Sequence, residues 1–132
     1  MLDHNALILI ADDMKLVRNA LKRYLSSLGY DNVIEAENGA EAVKKFKDNQ
    51  IAFIFMDLVM PIMTGLDALK KIREVDSNIP ITMLTSVADQ KSIDDCKMLG
   101  ILDYILKPLS AASGPDIIKG TLEKAYFARN SG

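Results

Sequence analysis

The chain has little of what several large functional classes require. Of its 132 residues one is a cysteine, Cys96, and one a histidine, His4. A single thiol excludes an intrachain disulfide and by itself says little about compartment; burial on a helix is its expected role. His4 lies ahead of the first expected strand, where a solvated terminal residue is a better reading than a ligand or a phosphate carrier, so a histidine-based catalyst is disfavoured. Charge of one sign is also scarce. With 16 basic against 18 acidic residues and a formal net charge of -2, the chain carries no electrostatic footprint for a nucleic-acid backbone, and a protein or small molecule is the expected partner. The densest basic cluster, Lys44, Lys45 and Lys47, has the spacing of a solvated outer helix face, with a partner patch as the alternative. Long hydrophobic runs are absent too. The apolar stretch from Ala6 to Ala11 is too short for the core of a signal peptide, and Asp3 stands where positive charge would be needed. No other stretch approaches a membrane span. The expectation is a cytoplasmic protein without membrane insertion.

What is present is a regular alternation. The 49% hydrophobic content of a chain of 132 residues can bury one compact core, and residues 1–132 are expected to form a single domain. Short apolar runs alternate with segments of helical period, the pattern of parallel βαβ construction. Leu7 to Ala11 reads as a strand, followed by a helix whose inward face is Leu16, Val17, Ala20, Leu21, Leu25 and Leu28 and which stops at Gly29. Val33 to Ala36 is a second strand. Asn38-Gly39 opens a helix with Ala42, Val43 and Phe46 inward, and Ile51 to Met56, the most apolar strand, should be central. Leu66, Leu69, Ile72 and Val75 outline a third helix. Pro80 precedes a strand from Ile81 to Leu84, a helix follows from about Asp89 to Leu99, and Tyr104 to Leu106 is the fifth strand. Pro115 is placed to open a last helix through Ile118, Leu122, Ala125 and Tyr126. Five such units predict an α/β fold with a doubly wound five-stranded parallel sheet, helices on both faces and the flavodoxin-like order 2-1-3-4-5. Strands one and three are then neighbours, and their carboxyl ends open into the crevice where such folds bind ligands.

Three carboxylates meet at that crevice, because Asp12 and Asp13 end the first strand and Asp57 ends the third. Like charges held close raise each other's proton affinity, and a proton or a cation relieves them. With oxygen ligands only, Mg²⁺ is the natural cation, since it keeps several waters and needs one or two direct carboxylates. The plainer alternative, that Asp12 or Asp13 caps the following helix, leaves the third aspartate unexplained. Lys107 ends the fifth strand and Thr85 the fourth, both toward the same crevice. An ammonium, a hydroxyl, a metal and a carboxylate nucleophile together suit a phosphoryl group bonded to one aspartate.

The ordered set Asp12-Asp13, Asp57-Leu58-Val59-Met60-Pro61, Gly65, Thr85-Ser86 and Asp103-Tyr104-Ile105-Leu106-Lys107-Pro108 resembles the receiver domains of bacterial response regulators, including the stand-alone chemotaxis type. The resemblance runs from about Leu7 to Tyr126. It implies a phosphorylation-dependent switch of two-component signalling rather than an enzyme acting on other molecules. Asp57 would accept a phosphoryl group from a histidine kinase or histidine phosphotransfer protein, and the domain would catalyse that transfer and its own slow dephosphorylation. Asp12, Asp13, Asp57 and the carbonyl of Val59 would arrange Mg²⁺, while Thr85 and Lys107 would hold the phosphoryl oxygens. Tyr104 matches the aromatic that changes rotamer on activation, although a core-edge tyrosine has the same period. The Lys107–Pro108 peptide is implied to be cis. The face of helix four, strand five and helix five would change shape for a downstream target protein, with Lys91, Asp95, Tyr104 and Lys119 as candidate contacts. Val59 and Val87 flank the phosphoryl group in this family and, being apolar, would tune its lifetime, unless both simply pack against neighbouring loops. The link from Ser110 to Pro115 looks long for a receiver.

Rival readings fit less well. Aspartyl-nucleophile phosphatases resemble a DxD arrangement after the first strand, whereas here the two aspartates are adjacent and the nucleophile candidate lies on the third. A flavin carrier would want a loop rich in Ser, Thr and Gly where Asp12-Asp13-Met14-Lys15 stands. An inert module of the same fold would not need this residue set. Little chain follows Lys107, so neither a DNA-binding nor a catalytic output domain is expected.

Overall fold

In the computed structural model, which describes residues 2–130, strands and helices alternate without interruption: β1 (Ile8–Ala11), α1 (Lys15–Ser27), β2 (Val33–Ala36), α2 (Gly39–Asp48), β3 (Phe53–Met56), α3 (Gly65–Val75), β4 (Ile81–Thr85), α4 (Gln90–Leu99), β5 (Asp103–Leu106) and α5 (Gly114–Asn130). All strand pairs are parallel and the order is β2-β1-β3-β4-β5, the expected flavodoxin-like arrangement. Every residue of β1, β3 and β4 is buried, as a sheet covered on both faces requires.

Successive strand side chains point to opposite faces, and this period sorts the core in two. Leu9, Ala11, Ile54, Met56, Ile81 and Met83 pack with α2, α3 and Cys96 of α4. Ile8, Ile10, Phe53, Phe55 and Leu84 pack with Leu21 and Leu25 of α1 and Ile118, Leu122 and Ala125 of α5. The second face carries a buried polar tie, the hydroxyl pair Thr82–Thr121, 2.7 Å apart.

Local chemistry sets most helix starts. The Asn38 side chain accepts the Glu41 amide, Thr64 that of Asp67 and Asp89 that of Ser92, each satisfying an amide left free in a first turn. Before α5 the Ser110 side chain accepts the Ser113 amide at 3.1 Å, and the Ser110 carbonyl accepts that of Gly114 at 2.7 Å. The long link is therefore an ordered turn, and the helix starts at Gly114, one residue ahead of Pro115.

Several expectations are corrected. Leu16 is 75% exposed and Arg18 is buried in its stead; the α1 stripe runs Arg18, Leu21, Leu25. Val75, the last residue of α3, and Tyr126 are exposed as well. β3 begins at Phe53 rather than Ile51, whose amide turns back to the Asn49 carbonyl. Lys45 is half-buried rather than on the solvated face of its neighbours, bonded to the Glu35 carbonyl and paired with Glu41 at 3.2 Å. His4 is exposed, with its ring 5.0 Å from that of Tyr30, and Cys96 is fully buried as expected.

Gly120, in the middle of α5, has no atom of another element within 4 Å of the position a Cβ would take. Glycine there costs helix stability without serving a contact. Gly120→Ala is expected to stabilise the protein by about 0.5–1 kcal/mol, read as a higher urea midpoint at unchanged slope. An unchanged or lower midpoint would contradict this.

Candidate functional site

Parallel register puts the acidic residues side by side. Ala11 pairs with Met56, and the Asp57 amide donates to the Ala11 carbonyl at 2.9 Å, so the residues after these strand ends, Asp12 and Asp57, leave the sheet together. Both are buried, at 2% and 6% exposure, while Asp13 is exposed. One carboxylate oxygen from each of the three lies within 4.8 Å of the other two.

Lys107 follows β5, and its ammonium donates to Asp12 Oδ2 at 2.6 Å and to Asp57 Oδ2 at 3.0 Å. Its backbone amide is held by the Thr85 carbonyl at 2.9 Å, and its peptide bond to Pro108 is cis. The remaining oxygens are less engaged. Asp12 Oδ1 accepts the Met14 amide at 2.8 Å, and Asp57 Oδ1 has only a long contact from the Val59 amide, 3.4 Å. Met14, not an aspartate, is the N-cap residue of α1 and makes no side-chain cap; Asp12 serves the helix only through the Met14 turn.

Charges are out of balance here. Burial raises the proton affinity of Asp12, and the hydrogen bonds from Lys107 and Met14 only partly offset it. Burial also disfavours the Lys107 ammonium, but the bonds to Asp12 and Asp57 outweigh it and hold its pKa above the usual lysine value. With all three carboxylates ionised, three negative charges face one positive. An all-oxygen donor set with lone pairs to spare fits a hard divalent cation such as Mg²⁺.

The loop after β3 is built by close approach and strain. The Gly65 amide donates to the Leu58 carbonyl at 2.8 Å, and a Cβ on Gly65 would lie 1.9 Å from the Asp57 carbonyl oxygen, so only glycine lets α3 begin there. Met63 donates to the Pro61 carbonyl at 2.7 Å across Ile62, whose φ is 69°. This is a γ-turn of the strained hand, and a β-branched residue at positive φ stores energy of order 1–3 kcal/mol. Ile62 and Val59 are 85% and 62% exposed on the loop that carries Asp57.

Thr85 is fully buried, and its hydroxyl accepts the Val87 amide at 3.3 Å; no hydrogen bond to the acidic groups is formed. The Val87 carbonyl in turn accepts the Tyr104 hydroxyl at 2.5 Å. Val87 and Tyr104 pack against the core on the α3–α4 side, and burial, with lesser help from nearby negative charge, pushes the Tyr104 phenol up to about 12. Of the residues singled out in the sequence, the structure thus gathers Asp12, Asp13, Asp57 and Lys107. It leaves Thr85, Val87 and Tyr104 as a connected chain beside them. Lys91 and Asp95 form an exposed pair at 2.9 Å along α4, and Lys119 is exposed on α5.

Two features were not anticipated. A cavity of about 600 Å³ is lined by Asp13, Asp57, Ser86 and Lys107 together with apolar side chains of α1 and Pro108-Leu109. Arg18 is the other, donating from Nη1 to the Asp12 carbonyl at 2.8 Å. Its signal was a charged residue three before Leu21 and seven before Leu25, on the buried stripe of a helix.

Comparison with known proteins agrees with this geometry. The family model described as response regulator receiver domain matches residues 8–119. The chemotaxis protein CheY of Bacillus subtilis is 38% identical over 115 residues, covering 87% of this chain and 96% of that protein. A chain of the CheX–CheY–BeF3–Mg complex from Borrelia burgdorferi superimposes with a TM-score of 0.83 at 28% identity, over 92% of this chain and 89% of that one. The CheY-like receiver domain protein from Methanospirillum hungatei shares the fold, with a TM-score of 0.86 at 24% identity over 96% and 98% of the two chains.

Proposed function

The chain belongs to the response regulator receiver domain family, and from that premise we propose that it is a phosphorylation switch in which Asp57 is the phosphoacceptor. The observation that carries the reading is the Lys107 ammonium shared between Asp12 and Asp57, with Asp13 close by. A Asp57 carboxylate oxygen attacks phosphorus, the bond from phosphorus to the donor imidazole nitrogen breaks, and the imidazole leaves with the electron pair. The donor is a histidine kinase or a histidine phosphotransfer protein. Asp12, Asp13, Asp57 and the Val59 carbonyl would hold Mg²⁺, which when bound supplies positive charge against the phosphoryl oxygens. Lys107, already 3.0 Å from Asp57, turns to a phosphoryl oxygen and gives up its contact with Asp12 Oδ2. The Mg²⁺ named with the Borrelia complex supports this cofactor, and the name of the Bacillus relative supports a chemotaxis-type pathway with a protein target.

The signal leaves the site through Thr85. When its hydroxyl turns to a phosphoryl oxygen it gives up the Val87 amide, and the Val87 carbonyl that holds Tyr104 moves with that loop. The inward and outward states of Tyr104 shift in population, and the face of α4, β5 and α5, with Lys91, Asp95, Tyr104 and Lys119, takes a new shape for the target.

Incubation with acetyl phosphate and Mg²⁺ is expected to add one phosphoryl mass to the parent and none to Asp57→Asn. Amide shifts on loading are expected at Lys91, Asp95 and Tyr104 as well as near Asp57. Phosphoryl gain by Asp57→Asn would refute the site, and shifts confined to the acidic loops would refute the coupling.

Val59 and Val87 differ in how they could set the lifetime of the phosphoryl group. Val59 is exposed at the mouth of the site, whereas Val87 is half-buried against the core. Neither side chain can orient the in-line water that hydrolysis needs, and a branched apolar group lowers water occupancy there. Slow self-dephosphorylation follows, suited to clearance by a partner. Val59→Asn is expected to speed decay by up to about 10²-fold, with Val87→Glu following if its side chain reaches the crevice. Decay of both variants at the parental rate would remove the water-exclusion argument.

A further inference from the structure

Arg18 is a charged side chain at 6% exposure on the buried face of α1, and no step of phosphoryl transfer uses it. Its fork spans three groups: Nη1 donates to the main-chain oxygen of Asp12 at 2.8 Å, Nε to Glu35 Oε1 at 2.9 Å, and Nη2 lies 3.5 Å from Glu37 Oε1. Glu35 is bonded in turn by Lys22 at 3.1 Å, and its carboxyl, although burial opposes this, is held below the usual range by Lys22 and Arg18. We propose that Arg18 is a positioning residue for the cation site, fixing the Asp12 backbone so that the Asp12 and Asp13 carboxylates are presented in register. This deepens the proposed function and rests on its reading of the acidic cluster as a Mg²⁺ site.

Two effects of Arg18 oppose each other, and the structure decides between them. A guanidinium near an anionic crevice repels a divalent cation, so its removal could tighten binding. Here, however, Arg18 and Lys22 face Glu35 and Glu37, two positive charges against two negative, and the two glutamates weaken that repulsion. The geometric effect of Arg18 is not weakened in this way. Asp12 leaves β1 with its amide on the Ala36 carbonyl, its carbonyl on Arg18 and its Oδ1 on the Met14 amide. Without the fork, a carbonyl of a buried residue loses a charge-assisted donor, and the turn that aims both acidic side chains loses one of its fixed points. Groups that hold a metal ligand in place are typically worth about 10–100-fold in metal affinity. Lysine cannot replace the fork, since a single ammonium does not span a carbonyl and a carboxylate on different strands in the same way.

The test is a Mg²⁺ titration of the unphosphorylated full chain, followed by amide chemical shifts, for the parent, Arg18→Lys, Arg18→Met and Asp13→Asn. It is paired with the rate of acetyl phosphate labelling as a function of Mg²⁺. Both Arg18 variants are expected to raise the Mg²⁺ Kd about tenfold while reaching the parental labelling rate at saturating Mg²⁺, a split that a loss of fold would not produce. Glu35→Ala, which leaves the Asp12 contact but removes the acceptor at the other end of the fork, should raise Kd less, and it serves if Arg18→Met does not fold. A parental Kd in Arg18→Lys, or tighter binding in Arg18→Met, would show that fork geometry does not govern the site. A labelling rate that stayed low at saturating Mg²⁺ would equally overturn an action through the metal site. If the parent bound no Mg²⁺, or Asp13→Asn bound it like the parent, the underlying reading of the cluster would fall instead, and the role of Arg18 with it.

Discussion

One ammonium shared between two buried carboxylates is the interaction on which this structure turns. Parallel pairing of β1 with β3 forces Asp12 and Asp57 to leave the sheet together, and pairing of Thr85 with Leu106 brings Lys107 to the same edge. Neither aspartate could remain buried and ionised without a partner, and Lys107 serves both at 2.6 and 3.0 Å. A single positive charge still cannot balance three carboxylates. Burial raises the proton affinity of Asp12 despite its bond to Lys107, and the Asp57 charge adds a smaller push in the same direction. The site therefore gains from a cation, and a phosphoryl group added to Asp57 gives Lys107 a new anion to hold.

The surrounding loops fit this charge arrangement in two different ways. On the Asp57 side they are held tightly, with Gly65 against the Asp57 carbonyl and Gly39 donating to the Met63 carbonyl at 2.9 Å. Strain at Ile62 persists because the contacts on either side leave the loop no relaxed alternative. On the β4 side the connection is a short series of hydrogen bonds from the Thr85 hydroxyl through Val87 to Tyr104. Breaking one such bond costs little beside the stability of the sheet, so the acidic side is held more firmly than the β4 side, the side on which the proposed switch relies.

The sheet was legible in the sequence because buried parallel strands read as continuous apolar runs, and the order of five βαβ units leaves few topologies. The four charged site residues were legible for a related reason, since Asp12, Asp57 and Lys107 each directly follow a strand, Asp13 comes one residue later, and strand ends can be counted. Helix faces were harder to read. Leu16 is an apolar residue that the α1 register turns outward, and Arg18 is a charged one that it turns inward, because Glu35, Glu37 and the Asp12 carbonyl wait there from other parts of the chain. Lys45 was misplaced for the same reason, its partner being a carbonyl of β2. The hydrogen-bond partner of Thr85 was also hidden, since a strand-end hydroxyl can turn either to the crevice or to its own loop, and residue order does not choose between them.

The central claim is that the crevice carries more negative charge than Lys107 can balance, and thermodynamic linkage tests it most directly. Unfolding free energy is measured by urea titration at fixed low ionic strength and pH 7 across increasing Mg²⁺, for the parent and for Asp13→Asn. The account predicts that parental stability rises with Mg²⁺, approaching about 1.4 kcal/mol per tenfold increase once the concentration exceeds Kd. In Asp13→Asn the rise should be displaced to much higher concentration. A parental stability indifferent to Mg²⁺, or an identical rise in both proteins, would contradict it.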